Sequence, residues 1–225
     1  MGMASTSPAS HHGVGSPRIT VGVLRLAAGL LVLAAIITQI ADLLGAGEFV
    51  AAEYFSYFTI QSSMMNVVVL LVGGLMALRL RTDTVLYTGV RAGIVVYAVV
   101  TAAVYNVLLR NLPPEGYVGV QWPNEVEHVW IPLFLLIDWL LATGRPRLGW
   151  QWLLAIVSFP LAWCAYTLLH GAVAAWYPYP FIDPSTSGWA SVIAYIIGLA
   201  GFMVVLGALA VRWSRSALGR GVGPV

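Results

Sequence analysis

The chain has 225 residues, of which 60% are hydrophobic and 9% charged, with a net charge of +2 and a mean hydropathy of +0.86. A soluble domain carries about a quarter charged residues, so composition excludes a soluble fold and leaves an integral membrane protein. At about 20 apolar residues per crossing, this length holds roughly six helices and no second, soluble domain.

Residues 1–18 are small and polar and are expected to form a disordered cytoplasmic tail. Six apolar segments follow, at about 19–45, 54–79, 85–110, 125–142, 150–176 and 188–212. Loop chemistry separates them: Gly45 to Gly47, Arg79 to Thr84, Asn111 to Pro114, Thr143 to Arg147, and Tyr177 to Pro184. The expected fold is all-α, a six-helix transmembrane bundle over 19–213, followed by a cytoplasmic tail over 214–225. Gly89 and Gly93 form a G-x-x-x-G in the third segment and predict a close helix contact.

All eleven basic residues are arginine, a usage read as genome bias of a bacterial kind. With the N-terminus in the cytoplasm, Arg110 alone falls outside and the other ten fall inside. Asp42, Glu48, Glu53, Glu115, Glu125, Glu127 and Asp183 then lie outside, against Asp83 and Asp138 inside. This bias puts both termini in the cytoplasm of a multi-pass plasma-membrane protein. Trp122, Trp130, Trp176 and Trp189 are expected at the outer interface, and Trp139, Trp150, Trp152 and Trp213 at the inner one. Arg91 and Asp138 read as a structural ion pair. The small net charge gives nucleic-acid binding no support. Cys164, the single cysteine, lies in an apolar run and says nothing about redox compartment.

The uncharged polar groups are the informative ones. Ser56, Thr59, Ser62, Ser63 and Asn66 fall within about 120° of one helix face, and such a stripe must face protein or water. By itself it also suits helix glue. In the fourth segment, Asn124 and Glu127 read as a capping box that starts a helix near 124. Pro132 lacks the N–H that would bond the His128 carbonyl, so a bend and a free acceptor are expected there. His170 also falls in the outer half. Counted from its segment's outer end, Thr59 lies roughly 8 Å down and the histidines within about 10 Å. Gln39, Asp42, Tyr105, Asn106 and Arg110 approach the same level. A polar cluster in so apolar a chain marks a candidate functional site.

A hydroxyl and an imidazole at one depth suit nucleophile and general base. Ser62, Ser63, Asn66, Tyr105 or Asn106 are candidate oxyanion donors. Glu125, Glu127 or Asp42 are candidates to orient an imidazole, and His170 is an alternative base. No G-x-S-x-G elbow is present. The reading needs no cofactor or metal. Competing readings are a lipid carrier or scaffold, and a haem protein using His128 and His170 as axial ligands.

The Tyr57-Phe58-Thr59-Ile60-Gln61-Ser62 stretch, with His128 through Pro132 to Asp138-Trp139 and the loop Trp176 to Pro184, resembles the androgen-induced-gene family of six-helix membrane hydrolases. Its prokaryotic six-pass branch is the most similar. The resemblance implies cleavage of fatty-acyl esters of the hydroxy-fatty-acid kind, with Thr59 as nucleophile and His128 as base. Membrane lipids and a lipid-like small molecule are the implied partners. Substrate identity and oligomeric state stay open.

Overall fold

A computed structural model describes residues 16–113 and 116–216. Most of the expected tails, 1–15 and 217–225, lies outside the described residues. The chain forms α1 (Ser16–Ala46), α2 (Ala51–Tyr54), α3 (Phe58–Arg79), α4 (Val85–Val104), α5 (Trp122–Glu125), α6 (Ile131–Leu141), α7 (Gln151–Ala174) and α8 (Pro184–Ser214). A π-helical turn, Tyr105–Leu109, continues α4, and another, Val126–Trp130, joins α5 to α6. No strand occurs among the described residues. Among the described residues, five helices are long and apolar enough to cross a membrane: α1, α3, α4 with its π turn, α7 and α8. The fourth apolar segment is a continuous helical run over 122–141, made of α5, the π turn and α6.

Two boundaries differ from the sequence reading. Residues 16–18, assigned to the tail, are the first turn of α1, where buried Arg18 already makes tertiary contacts. The second apolar segment is broken after Tyr54. Tyr57 is extended (φ −65°, ψ 130°) and α3 begins at Phe58. The break is held because its freed carbonyls find side-chain donors: Gln61 Nε2 donates to the Phe55 carbonyl (2.9 Å) and Trp163 Nε1 to that of Ser56 (2.9 Å).

Inside lipid, burial of apolar surface does not drive helices together; close packing and polar pairing do. Helix α4 is the hub and packs on α3, α6, α7 and α8. Its Gly89 lies so close to α7 that an added Cβ would fall 2.3 Å from the Trp152 ring, the tight contact expected of the glycine motif. Helices α1 and α3 cross at Gly22 and Gly74, where a Cβ on Gly74 would stand 2.9 Å from the Gly22 carbonyl oxygen. Leu154, Leu169, Val173, Ile197 and Val205 on α7 and α8 are exposed, an apolar surface that suits lipid.

At one end of the bundle, the expected Arg91–Asp138 pair (2.6 Å) belongs to a larger buried network. Arg25 also reaches Asp138 (3.1 Å), and Asp83 takes Arg18 (2.8 Å) and approaches Arg91 (3.6 Å). Arg18 further donates to the carbonyls of Leu80 and Thr143. The start of α1, the end of α3, the start of α4 and the end of α6 therefore meet at this end. Leu148 and Ser214 join the start of α7 to the end of α8 (3.1 Å). Trp139, assigned to the interface, is instead buried between the guanidiniums of Arg91 (5.2 Å) and Arg145 (4.7 Å). Cation–π contact outweighs interfacial anchoring there.

Candidate active site

His128 is held from every side. Pro132 cannot donate to its carbonyl, and the helix widens into the π turn at that point. The freed carbonyl accepts from Asn106 Nδ2 at 3.2 Å. The ring's Nδ1 lies 2.9 Å from the Asn124 carbonyl oxygen. A carbonyl can only accept, so Nδ1 carries the proton and Nε2 presents a lone pair. Tyr105 stacks on the ring with centroids 4.1 Å apart, and its hydroxyl holds the Asn124 side chain. The expected capping box does not form. Pro123 enters the first turn of α5, which starts at Trp122. Asn124 turns to Tyr105, and the Glu127 carboxyl accepts from Gln39 (3.0 Å).

Thr59 is the second residue of α3, at a helix start and not a turn and a half inside one, because of the break at Tyr57. Its Oγ1 lies 3.3 Å from His128 Nε2. With the tautomer fixed as above, the threonine hydroxyl donates and the imidazole accepts. The first N–H groups of a helix have no intrahelical acceptor and carry the positive end of its dipole. No side chain of the N-cap residue serves α3. The Tyr179 hydroxyl fills that role from the loop between α7 and α8, accepting from the Thr59 N–H at 3.4 Å and lying 3.4 Å from Thr59 Oγ1. Burial pushes the Tyr179 phenol up to about 12, so it remains a proton-bearing group at neutral pH.

Two cavities meet at this point. An apolar one of about 190 Å³ runs between α4, α7 and α8, lined by residues such as Val100, Leu161, Trp163, Leu199 and Met203. A more polar one of about 390 Å³ is lined by Gln39, Asp42, Tyr54, Gln121 and Glu127, with the loop residues Gly119 and Pro178. Thr59, His128, Tyr105, Leu109 and Tyr179 line both. A reactive hydroxyl and its proton acceptor thus stand where a greasy compartment joins a wet one. That geometry can hold a carbonyl between an apolar chain and a polar group.

The other predicted residues divide. The stripe Ser56, Thr59, Ser62, Ser63 and Asn66 is buried as expected. Ser62 donates to the Thr59 carbonyl (3.0 Å), and Ser63 lies beside the Glu127 carboxyl. Asn66 is buried a further turn down α3, clear of both cavities' linings. These three therefore do not face Thr59 Oγ1. Asn106 supports the histidine backbone and offers no oxyanion contact. None of the three candidate acids touches the imidazole: Glu125 pairs with Arg110, Asp42 accepts from Tyr117 (3.1 Å) and the Val120 N–H (2.9 Å), and Glu127 faces Gln39. A backbone carbonyl does the orienting. His170 packs against Tyr166 and Trp176 and lines neither cavity. Tyr179 was not singled out from the sequence, although its Tyr/Pro-rich loop was; nothing in that loop's spacing signals that one hydroxyl returns to cap α3. Comparisons with family models, with curated proteins and with solved structures find no match to this chain.

Proposed function

We propose that the protein is an intramembrane threonine hydrolase of lipid esters, with Thr59 as nucleophile and His128 as general base. The observation that carries this reading is the Thr59–His128 contact at the meeting point of an apolar and a polar cavity. In the proposed reaction, Thr59 Oγ1 attacks the ester carbonyl carbon and its proton passes to His128 Nε2. The carbonyl oxygen gains the displaced electron pair and turns to the Thr59 N–H and the Tyr179 hydroxyl. Collapse breaks the bond to the alcohol, which leaves with the proton from His128. The acyl group stays on Thr59 until water, giving a proton to the same imidazole, attacks the acyl carbon; the bond to Thr59 Oγ1 breaks, the fatty acid leaves, and His128 returns the proton to Thr59 Oγ1. The acyl chain occupies the apolar cavity, and water and the alcohol use the polar one.

The resemblance of the Tyr57–Ser62 and His128–Pro132 stretches to the androgen-induced-gene family accords with this reading. The accompanying topology has six crossings, with the helical run over 122–141 as the fourth and both termini in the cytoplasm of a bacterial plasma membrane. The meeting of the start of α1, the end of α3, the start of α4 and the end of α6 in one ionic network supports the alternation of crossings. In the proposed orientation the Thr59 site faces the outer leaflet. A carrier that never turns over its lipid would use the same pair of cavities. The haem reading has less support, since both ring nitrogens of His128 are engaged.

Labelling of the purified protein with a fluorophosphonate separates these readings. The hydrolase is labelled, Thr59→Ala abolishes the label and His128→Ala reduces it by at least about a hundredfold, within the range of a lost general base. Labelling that survives in Thr59→Ala would sink the assignment.

A further inference from the structure

The polar cavity has a chemical bias of its own. Its wall carries two carboxyls, Asp42 and Glu127, and no arginine lines it among the described residues. Arg110, the residue after the π turn that ends α4, is paired with Glu125 instead. Four of the wall's amide and hydroxyl side chains are already aimed at protein acceptors. Tyr54 donates to Gln39 (2.8 Å), Gln39 to Glu127 (3.0 Å), Gln121 to the Gly119 carbonyl (2.7 Å), and Asn124 to Tyr105. The wall also presents an acceptor. Glu127 is 2% exposed and lines the cavity; Gln39 and Ser63 stand beside its carboxyl, yet its Oε1 makes no hydrogen bond of normal geometry among the described residues. An unsatisfied buried acceptor favours a ligand that donates. Two carboxyl groups with no arginine beside them disfavour a ligand that brings a carboxylate of its own.

We infer that this cavity selects a hydrogen-bond-donating, non-anionic alcohol portion of its ligand, of the polyol or amino-alcohol type, and turns away one bearing a carboxylate near the ester. The substrate class is then an acyl polyol or acyl amino alcohol. This differs from an ester whose alcohol portion places a carboxylate in the cavity. The preference rests on the hydrolase reading only in that the bound alcohol portion is the leaving group.

Binding of non-hydrolysable ethers tests the preference without turnover. The probes are the decyl ethers of glycerol, of 2-aminoethanol and of glycolic acid. They are radiolabelled and equilibrated with the full-length protein in lipid nanodiscs, with binding to empty discs subtracted. The glycerol and aminoethyl ethers are expected to bind at least about tenfold more tightly than the glycolate ether, equivalent to about 1.4 kcal/mol. Asp42→Asn and Glu127→Gln together should shrink that ratio to about threefold or less, or about 0.7 kcal/mol. Equal or tighter binding of the glycolate ether to the natural chain overturns the inference, whether or not the variants fold. A ratio unchanged in a folded double variant overturns the assignment to these two carboxyls. The hydrolase reading fails separately: the ether preference persists while no fluorophosphonate label appears on Thr59.

Discussion

Replacing Tyr179 by Phe removes one oxygen from the site and little else. The ring keeps its stacking on Phe181 (5.2 Å) and its edge contact with Tyr57 (5.6 Å). In the resting protein the lost contacts are long, at 3.4 Å to the Thr59 N–H and to Oγ1. A neutral hydrogen bond is worth about 0.5–1.5 kcal/mol net, and leaving the buried Thr59 N–H without its acceptor raises the cost, so stability should fall by about 1–3 kcal/mol. The tetrahedral intermediate is different, because a hydrogen bond to a charged oxygen is worth about 1.5–3 kcal/mol. At 1.36 kcal/mol per factor of ten, kcat should fall about 10- to 150-fold. KM should change little, since the contact strengthens only as charge develops. The assay is release of p-nitrophenol from p-nitrophenyl decanoate by protein in nanodiscs. A kcat within about twofold of the natural chain, well under the expected loss, would refute the oxyanion role. The same hydroxyl sets a sign for pH. Its folded-state pKa is raised to about 12 from 10.0, so the neutral form is favoured in the folded state. The associated stability is complete below about pH 10 and is lost as pH rises towards about 12. Phe at this position should flatten that limb of the stability profile.

Three further outcomes are expected. His170→Ala should leave fluorophosphonate labelling within about twofold of the natural chain, whereas His128→Ala removes a general base worth about a hundredfold or more; the reverse pattern would exchange their roles. Asn106→Ala leaves the His128 carbonyl without its side-chain donor and should cost about 1–3 kcal/mol of stability, read as a lower thermal midpoint, together with a lower kcat from a looser imidazole. Asp138→Ala removes the nearer of the two carboxyls shared by buried Arg25 and Arg91, leaving the more distant Asp83, and should cost about 3–5 kcal/mol. An unchanged midpoint in detergent would mean that the network is dispensable.

The membrane class and the rough positions of the apolar segments were legible because lipid demands long apolar helices and punishes polar backbone. The break before α3 was not legible. It depends on Gln61 and Trp163 capturing the Phe55 and Ser56 carbonyls, and Trp163 lies more than a hundred residues away in sequence. That break moved Thr59 from mid-turn to helix start, where an N–H joins the hydroxyl. The Pro132 argument carried well because it is local: a missing donor frees one named carbonyl, and Asn106 takes it. The capping-box pattern at Asn124 and Glu127 misled because Pro123 already begins the helix and both side chains find tertiary partners. Counting arginines by side treated Arg18, Arg25, Arg91 and Arg145 as topology signals. All four are buried, and three of them pair with Asp83 or Asp138, so part of that bias is structural. The candidate acids show the same limit, since spacing cannot tell a carboxyl beside an imidazole from one facing a neighbouring cavity.

The central claim is that Thr59 carries the acyl group during turnover. Mixing the protein with p-nitrophenyl decanoate, quenching in acid within the first turnover and mapping peptides by mass spectrometry tests it directly. The account predicts a decanoyl adduct on the peptide containing Thr59, absent from Thr59→Ala and formed far more slowly in His128→Ala. An adduct on another residue, or product release with no adduct on Thr59 at any quench time, would contradict it.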